Sequence, residues 1–244
     1  YLHKRYSLND IITYRVLKVA QLGESNVDHL IGDLIANSSN PTVGVLAHPG
    51  QVDVRIAAKA SSRKGAEKLI APMELQIRKL LGDHVFAVDD DKMEDVVGRL
   101  LAERDMTISS YEDVTHGMLS ERMREAGPEH FIQGIVGNGP PSIQLLLGTE
   151  RSDALAADPS ALADALALAI RTQSGSDLGV AVHGRPDPND LAENLASGQT
   201  YISVSHDSNI RRRTFNLSGR GRPDRTRISL DALSLLRSML IESF

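Results

Sequence analysis

Short β-prone runs alternate with helical segments along most of this chain of 244 residues, and this order limits the fold more than any other feature. Such alternation is typical of α/β domains, in which helices cover the faces of a sheet. In the first third of the chain the order is β-α-β-β-α-β. We therefore predict a small α+β domain over residues 1–88, followed by an α/β domain over residues 89–244 with helices on both faces of its sheet.

Within the first domain, two local patterns predict particular structures. Ser25 precedes an apolar stripe at helical spacing, which places it to cap a helix over residues 27–35. Two β-rich runs flank the sequence His48-Pro49-Gly50-Gln51, which has the residues of a tight turn. These runs predict a β-hairpin.

In the second domain, the sequence predicts one buried strand and one central strand. Residues 131–136 are apolar and β-prone, as is typical of a strand buried on both faces, and residues 178–182 share this character. Residues 187–198 are polar and are predicted as a loop. Residues 200–205 and 214–217 alternate and predict an antiparallel pair.

Composition excludes several classes of function. The chain has no cysteine, which rules out disulfides, thiolate metal sites and a cysteine nucleophile. No apolar run approaches the ~20 residues that span a bilayer, and no signal peptide pattern opens the sequence, so we expect a cytoplasmic protein without a membrane partner. The net charge of −5 and the absence of tryptophan argue against a nucleic-acid partner.

The segment from Met106 to Leu119 carries the strongest signal for a functional site. It predicts a short strand over residues 106–110, a tight polar turn, and a helix that begins near Thr115. The amino terminus of a helix offers unpaired N–H groups and the positive end of the helix dipole. This segment therefore predicts a cradle for an anion or a nucleophile.

Several motifs resemble a known family. They are the residues Gly23-Glu24-Ser25, Asn40-Pro41-Thr42-Val43 and Gly50–Ile56, followed by the order of segments 131–136, 177–184 and 225–236. On these motifs the chain resembles the competence/damage-inducible CinA family. Its members join a molybdopterin-binding-like domain, a KH-type domain and a C-terminal nicotinamide-nucleotide amidase domain. The resemblance implies a KH-type domain over residues 1–88 and an amidase-like domain over residues 89–244, without a counterpart of the first domain.

The resemblance also implies site residues. Active relatives read Glu-Ser-Cys-Thr-Gly-Gly where this chain reads Glu112-Asp113-Val114-Thr115-His116-Gly117, so Asp113 stands at the position of the serine nucleophile. Ile143 stands where the family has a lysine base, and His183 begins the segment that replaces Thr-Gly-Ile-Ala-Gly-Pro. The catalytic positions by resemblance are Asp113, Thr115 and His183. The substrate-binding positions are Glu112, Gly117, Gly137, Gly184, Arg225 and Arg227.

These substitutions remove the family's chemistry. A serine hydroxyl needs an adjacent base to become a nucleophile, and isoleucine cannot transfer a proton. We therefore expect a degenerate amidase domain that is catalytically inactive and that acts in ligand binding or assembly. The implied partners are a nucleotide-like small molecule and further copies of the chain, with no cofactor.

Other interpretations stay open. The domain could be an active amidohydrolase on nicotinamide mononucleotide or a related nucleotide with a rearranged site, or the chain could be an RNA-binding module. Glu112, Asp113 and His116 could form a new site, and with His183 and His206 they could hold a metal. Their spacing matches no metal motif, so the sequence predicts no metal and Asp113 is interpreted as a helix cap. The arginines at 211–213, 220, 222, 225 and 227 could bind phosphate, but ion pairs to the acidic domain are favoured.

Overall fold

A computed structural model describes residues 10–186, 198–217 and 221–242. The chain divides into two compact units, Tyr1–Asp91 and Lys92–Phe244. The loop predicted over residues 187–198 lies outside the described residues except for Gly198, as does Arg220. Among the helices of the described residues, none is long and apolar enough to cross a membrane.

The first unit has the order β-α-β-β-α-β that the sequence predicted. Its elements are β1 (Ile11–Ala20), α1 (Glu24–Asn37), β2 (Thr42–His48), β3 (Gln51–Ala60), α2 (Arg63–Leu81) and β4 (Val85–Val88). The strands form one antiparallel sheet in the order β2-β3-β1-β4. This is the split β-α-β arrangement, in which two helices cover one face of the sheet.

Of the two local structures predicted in this unit, the hairpin and the helix cap, the structure confirms only the hairpin. The predicted hairpin is confirmed, with His48 facing Gln51 across a turn in which Gly50 has a φ of +81°, a conformation that favours glycine. The predicted cap at Ser25 is wrong, because α1 begins at Glu24 with Gly23 as its N-cap and no side-chain cap. Ser25 instead lies in the first turn of the helix.

The core of the first unit lies between the helices and one sheet face. Leu17, Val54 and Ile56 point from β1 and β3 toward Ile31 of α1 and Ile77 of α2, and all are fully buried. This pattern follows from the alternation along each strand, which sends every second side chain to the same face. The unit therefore has a hydrophobic core of its own.

The second unit is an α/β sandwich. Its elements are α3 (Met93–Glu103), β5 (Ile108–Glu112), α4 (Met118–Ala126), β6 (Phe131–Val136), α5 (Pro140–Leu147), α6 (Thr149–Leu155), α7 (Pro159–Ser174), β7 (Leu178–Pro186), β8 (Gly198–His206), β9 (Asn209–Leu217) and α8 (Arg222–Glu242). The sheet order is β6-β5-β7-β8-β9. Strands β5, β6 and β7 are parallel, while β8 and β9 are antiparallel, as the sequence predicted for the last two.

Helices cover both faces of this sheet, which confirms the predicted fold class. On one face Tyr111 and Ala181 pack against Leu166 of α7. On the other face Ser110 Oγ lies 3.1 Å from Ser120 Oγ of α4. The prediction of a central strand at residues 178–182 is also confirmed, because β7 lies in the middle of the sheet.

The prediction that residues 131–136 form a buried strand is wrong. These residues do form β6, but β6 is an edge strand whose alternate residues Ile132, Gly134 and Val136 are exposed. An edge strand has a neighbour on one side only, so helices that cover the sheet leave part of its surface open. Apolar character alone does not separate these two positions.

Candidate functional site

The carboxyl ends of the three parallel strands meet at one edge of the sheet of the second unit. Glu112 ends β5, Gly137 directly follows β6, and His183 and Gly184 lie near the end of β7. In α/β sheets this edge is the usual place for a ligand, because loops of several strands converge there. The structure thus brings most of the predicted site residues to one edge.

Glu112 is fully buried and fastens the amino terminus of α4. Its two carboxylate oxygens accept hydrogen bonds from Leu119 N at 3.0 Å, Ser120 N at 2.7 Å, Ser120 Oγ at 2.5 Å and Thr115 Oγ1 at 2.5 Å. The side chain therefore supplies the negative charge that the helix terminus favours. Both oxygens are engaged within the chain, and binding of substrate by Glu112 stays a prediction.

Asp113 points the other way, toward β7. Its Oδ2 lies 2.7 Å from Nδ1 of His183, and its Oδ1 accepts a hydrogen bond from Gly184 N at 2.9 Å. The interpretation of Asp113 as a helix cap is wrong, because α4 begins at Met118 and Gly117 is its N-cap. The predicted start near Thr115 fails for the same reason: Thr115 precedes a turn in which His116 and Gly117 have positive φ.

Two of the predicted glycines are required by packing. A Cβ on Gly184 would lie 2.7 Å from Cβ of Val114, and one on Gly137 would lie 2.3 Å from the Tyr111 hydroxyl oxygen. Tyr111 is fully buried, and its hydroxyl has no hydrogen-bond partner among the described residues. Burial raises the pKa of Tyr111, and the charge of Asp113 raises it further. This phenol therefore stays protonated beside Asp113.

Ile143, at the position of the lysine base in the family, belongs to the hydrophobic core. It is buried on α5 and shares a cluster with Tyr111, Leu162 and Leu166. A charged amine could occupy this place only at a large desolvation cost. No proton acceptor takes the place of the lysine at this position.

An open pocket of about 720 Å³ lies beside α4 and the start of α8. Its lining residues are Thr115, His116, Gly117, Met118, Ser120, Glu121, Arg124, Glu125, Arg222 and Arg225. Arg225 Nη1 lies 3.3 Å from His116 Nδ1, which ties the loop before α4 to α8. Arg124 and Arg222 form no ion pair with any other residue in the described ranges.

The sequence identified Thr115, Gly117 and Arg225 for this region and grouped Arg222 with the arginines that could bind phosphate, but it did not identify Arg124. Arg124 lies seven residues after Gly117, two turns along one face of α4, and this spacing is the signal that could have found it. Arg227 is placed elsewhere: its Nε lies 4.0 Å from Asp231 Oδ2 on the same helix. Its role in binding substrate stays a prediction.

The arginines of β9 are occupied by ion pairs, as the favoured interpretation of the sequence expected. Arg211 pairs with Glu242 at 2.9 Å, Arg212 with Asp164 at 2.7 Å and Arg213 with Asp231 at 3.2 Å. Burial raises the pKa of Asp231, although the charges of Arg213 and Arg227 oppose this. These pairs attach β9 to the helices around it and leave the pocket arginines as a separate group.

The histidines do not assemble as the metal interpretation required. His206 faces Leu178 at the start of β7, whereas His183 lies near its end, and His116 contacts Arg225 instead of Asp113. Within residues 10–186, 198–217 and 221–242, no three histidine or carboxylate side chains converge on one point. The described residues therefore contradict the open interpretation in which Glu112, Asp113 and these histidines share one metal ion.

Two family models match the chain. The model described as the Damage-inducible protein CinA KH domain matches residues 14–87, and that of the CinA C-terminal domain matches residues 90–240. The second match alone covers more than half of the chain. The chain belongs to the CinA family.

Curated relatives of the CinA family extend beyond the matched region. A putative competence-damage inducible protein of Moorella thermoacetica is 36% identical over 80% of this chain and 48% of its own length. One from Clostridium acetobutylicum is 31% identical over 98% of this chain and 59% of its own length. This chain therefore spans about half to three fifths of the curated relatives that it matches.

A solved structure resembles this chain in fold. The CinA superfamily protein from Klebsiella pneumoniae 700603 superposes with a TM-score of 0.54 at 19% sequence identity. The match covers 61% of this chain and 96% of that protein. At this identity the likeness concerns the fold alone.

Proposed function

We propose that this CinA-type protein binds a phosphate-bearing small molecule of nucleotide size in its second unit and does not hydrolyse an amide there. The observation that carries the proposal is the pair of contacts that Asp113 makes within the chain. One of its carboxylate oxygens contacts Nδ1 of His183, and the other accepts a hydrogen bond from the Gly184 N–H group. A carboxylate held in this way orders the chain around it and is not directed at a ligand.

The chemistry of the neighbouring positions supports the loss of amide hydrolysis. By its resemblance to active amidases, this position would carry the serine that attacks the amide carbon. An ionised carboxylate only accepts hydrogen bonds, and it does not replace the hydroxyl in that step. The lysine position is buried Ile143, which cannot take up the proton of a nucleophile.

The charge around the open pocket supports the class of ligand. Arg124, Arg222 and Arg225 line it together with two glutamates, and its volume of about 720 Å³ lies in the range of small-molecule sites. The planar guanidinium group binds phosphate through paired hydrogen bonds. Because Glu112 already fills the terminus of α4, the phosphate would lie on these arginines and not on the helix end.

The test uses nicotinamide mononucleotide with the full chain and measures ammonia release and calorimetric binding. We expect no ammonia above the buffer control. Binding should weaken about tenfold or more in Arg225→Ala, the loss of roughly 1.4 kcal/mol or more of charge-assisted bonding. Arg211→Ala on β9 is the matched control and should bind as the parent does. Ammonia release that Asp113→Ala abolishes would contradict the proposal, as would binding that Arg225→Ala leaves unchanged.

A second candidate function rests on the 2.7 Å contact between Asp113 and His183. If Nδ1 carries the proton toward Asp113, Nε2 of the ring is an acceptor, as in a general base that a carboxylate orients. His183 would then take a proton from the water that attacks the amide carbon and would pass it to the amide nitrogen as the C–N bond breaks, so that ammonia leaves and a carboxylic acid remains. Turnover that disappears in His183→Gln while binding is retained would establish this candidate in place of the first.

A further inference from the structure

The turn between β6 and α5 contains the sequence Asn138-Gly139, and no other asparagine of the chain is followed by glycine. An asparagine side chain ends in an amide, and the backbone nitrogen of the next residue can attack the carbon of that amide. Glycine favours this attack because it has no Cβ to shield its nitrogen and because its backbone rotates most freely. The turn therefore combines the two residue types that form a succinimide ring most readily.

Both reactive groups of this turn are free within the described part of the chain. Asn138 is exposed, and its side-chain amide forms no hydrogen bond with any described residue. The backbone N–H group of Gly139 donates no hydrogen bond to these residues either. A Cβ built on Gly139 would meet no atom within 4 Å outside its chain neighbours, so the space around the attacking nitrogen is open. Neither group must first lose a contact before the two react.

Asn40 in the first unit shows the opposite arrangement. Its Nδ2 donates a hydrogen bond to Lys59 O at 2.9 Å, and its Oδ1 accepts one from Lys59 N at 2.9 Å. The next residue is Pro41, whose nitrogen carries no hydrogen and cannot act as the nucleophile. The chain thus contains one asparagine that is protected from ring formation and one that is open to it.

We propose that Asn138 is a site of spontaneous deamidation. The nitrogen of Gly139 loses its proton and bonds to Cγ of Asn138, the bond from Cγ to Nδ2 breaks, and Nδ2 leaves with that proton as ammonia. Water then opens the succinimide at either of its carbonyl groups, which gives aspartate or isoaspartate at position 138. One asparagine and one water thus give one acidic residue and one ammonia, and water is the only co-reactant.

The reaction changes the end of β6, where the candidate site lies. Position 138 directly follows Gly137, which is packed against Tyr111. Both products add a negative charge to residues 131–148, a stretch that contains no charged residue. Isoaspartate also adds a carbon to the backbone of the turn, which Ser142 Oγ holds by accepting a hydrogen bond from Asn138 N at 2.9 Å. The modification therefore alters both the charge and the backbone path at this edge of the sheet.

The reaction needs no ligand, so the inference does not depend on the proposed function. Each chain releases one ammonia, whether or not a nucleotide is present. Ammonia from this source is limited to one equivalent of protein, whereas turnover continues as long as substrate lasts. Ammonia that requires nicotinamide mononucleotide would come from turnover and not from Asn138, so the proposed function and this inference fail on different results.

The experiment incubates the full chain without nucleotide at physiological temperature and mildly alkaline pH. Peptide mass spectrometry measures the deamidated fraction at each asparagine, and labelling by protein-isoaspartate methyltransferase detects isoaspartate. We expect Asn138 to deamidate at least about tenfold faster than Asn40, which corresponds to a barrier lower by roughly 1.4 kcal/mol or more. The rate should rise with pH, because the attacking nitrogen must lose its proton.

Two variants assign the released ammonia to its source. Asn138→Gln adds a carbon to the side chain, so ring closure becomes slow, and this variant should lose most of the ammonia release. Asn26→Gln is the matched control, since Asn26 is also exposed but precedes the β-branched Val27, and its release should equal that of the parent. Circular dichroism checks that both variants are folded. Deamidation of Asn138 no faster than that of Asn40 would overturn the proposal, as would ammonia release that Asn138→Gln leaves unchanged.

Discussion

Glu112 and Asp113 are neighbours in the chain and carry the same functional group, yet they hold different parts of the molecule. Glu112 is buried and accepts four hydrogen bonds from the loop and first turn of α4. Asp113 turns to the opposite side and accepts two from the end of β7. One residue fastens a helix to its strand, and the next fastens one strand end to another.

The difference separates a structural role from a catalytic role at two positions, 112 and 113, that are aligned with the family's Glu-Ser by resemblance. By resemblance, Glu112 occupies a position where the CinA family also has glutamate, and its bonds explain why a carboxylate is needed there. Asp113 occupies the position of the proposed nucleophile. Its two carboxylate oxygens contact His183 and Gly184, and serine, with a single oxygen on a shorter side chain, could not make both contacts. In this chain both carboxylates therefore support the fold, Glu112 at the amino terminus of α4 and Asp113 at the end of β7.

The largest expected effect is on the Glu112 side of this comparison. Glu112→Gln replaces an oxygen that accepts hydrogen bonds by an amide that donates, so donors of α4 lose their partner inside the fold. We expect the free energy of unfolding to fall by about 3 kcal/mol, since bonds to a buried charge are worth roughly 1.5–3 kcal/mol each and are lost together. Urea denaturation measures the change.

The matched control for that variant is Glu121→Gln, on the exposed side of the same helix. It should change the free energy of unfolding by less than about 0.5 kcal/mol, as is usual for surface positions. If both variants unfold alike, Glu112 does not fasten α4 and the comparison fails.

A substitution of Asp113 should lower the free energy of unfolding less than one of Glu112. Asp113→Asn keeps one acceptor oxygen of similar shape but loses the charge and one of two bonds, so we expect a loss of about 1–2 kcal/mol in the free energy of unfolding. Nuclear magnetic resonance compares the chemical shifts of the His183 ring nitrogens in the parent and in Asp113→Asn, and these shifts report the contact with Asp113. Identical ring shifts in the two proteins would show that the 2.7 Å contact is absent in solution.

A smaller effect on stability is expected at Thr115, whose hydroxyl donates a hydrogen bond to Glu112 at 2.5 Å. Thr115→Val removes one of four bonds and keeps the shape, so the free energy of unfolding should fall by about 1 kcal/mol. Thermal unfolding of Thr115→Val and Glu112→Gln, alone and combined, gives the coupling between them. Fully additive losses would mean that the hydroxyl and the carboxylate do not interact.

The smallest effect concerns the opposite end of strands β5 and β7. There the carboxylate of Asp177 connects the two neighbouring chain segments, as that of Asp113 does at the site. Its Oδ2 accepts hydrogen bonds from Thr107 N and Oγ1, both at 2.7 Å. The bond from the Thr107 backbone N–H lowers the pKa of Asp177 below its usual value. A depressed pKa stabilises the folded state above the unfolded pKa of about 3.9, and this stability is lost as the pH falls through the folded value.

Asp177→Asn should therefore lower the melting temperature slightly at pH 7 and flatten its decline below about pH 4, in thermal scans from pH 2 to 7. The effect should stay below that of Asp113→Asn because Asp177 is largely exposed to solvent. A steeper acid decline in the variant would reverse the sign and contradict the argument.

Much of the fold could be predicted from periodicity, and the failures have common physical causes. The order of strands and helices in both units followed from alternation and from the turn at Pro49-Gly50. The exposure of β6 could not be predicted, because an apolar strand has the same pattern at the edge or in the centre, and only the strand order decides. The start of α4 was missed because Glu112, outside the helix, binds groups seven and eight residues further along.

The resemblance indicated residues of the candidate site but not the contacts between them. Resemblance selected Asp113 and His183, but their contact spans 70 positions and depends on β5 lying beside β7. The pocket arginines Arg124 and Arg222 belong to two helices that meet only in the folded unit. Long-range geometry of this kind leaves no periodic signal in the sequence.

Buried Ile143 also limits what could be built into this fold. A site with the hydroxyl and the lysine that the resemblance describes would need serine at position 113 and lysine at position 143. The second change would place an ammonium group among Tyr111, Leu162 and Leu166, at a stability cost of several kcal/mol that rivals the whole margin of a typical domain. A design that introduces this chemistry would therefore have to repack the core around α5 as well.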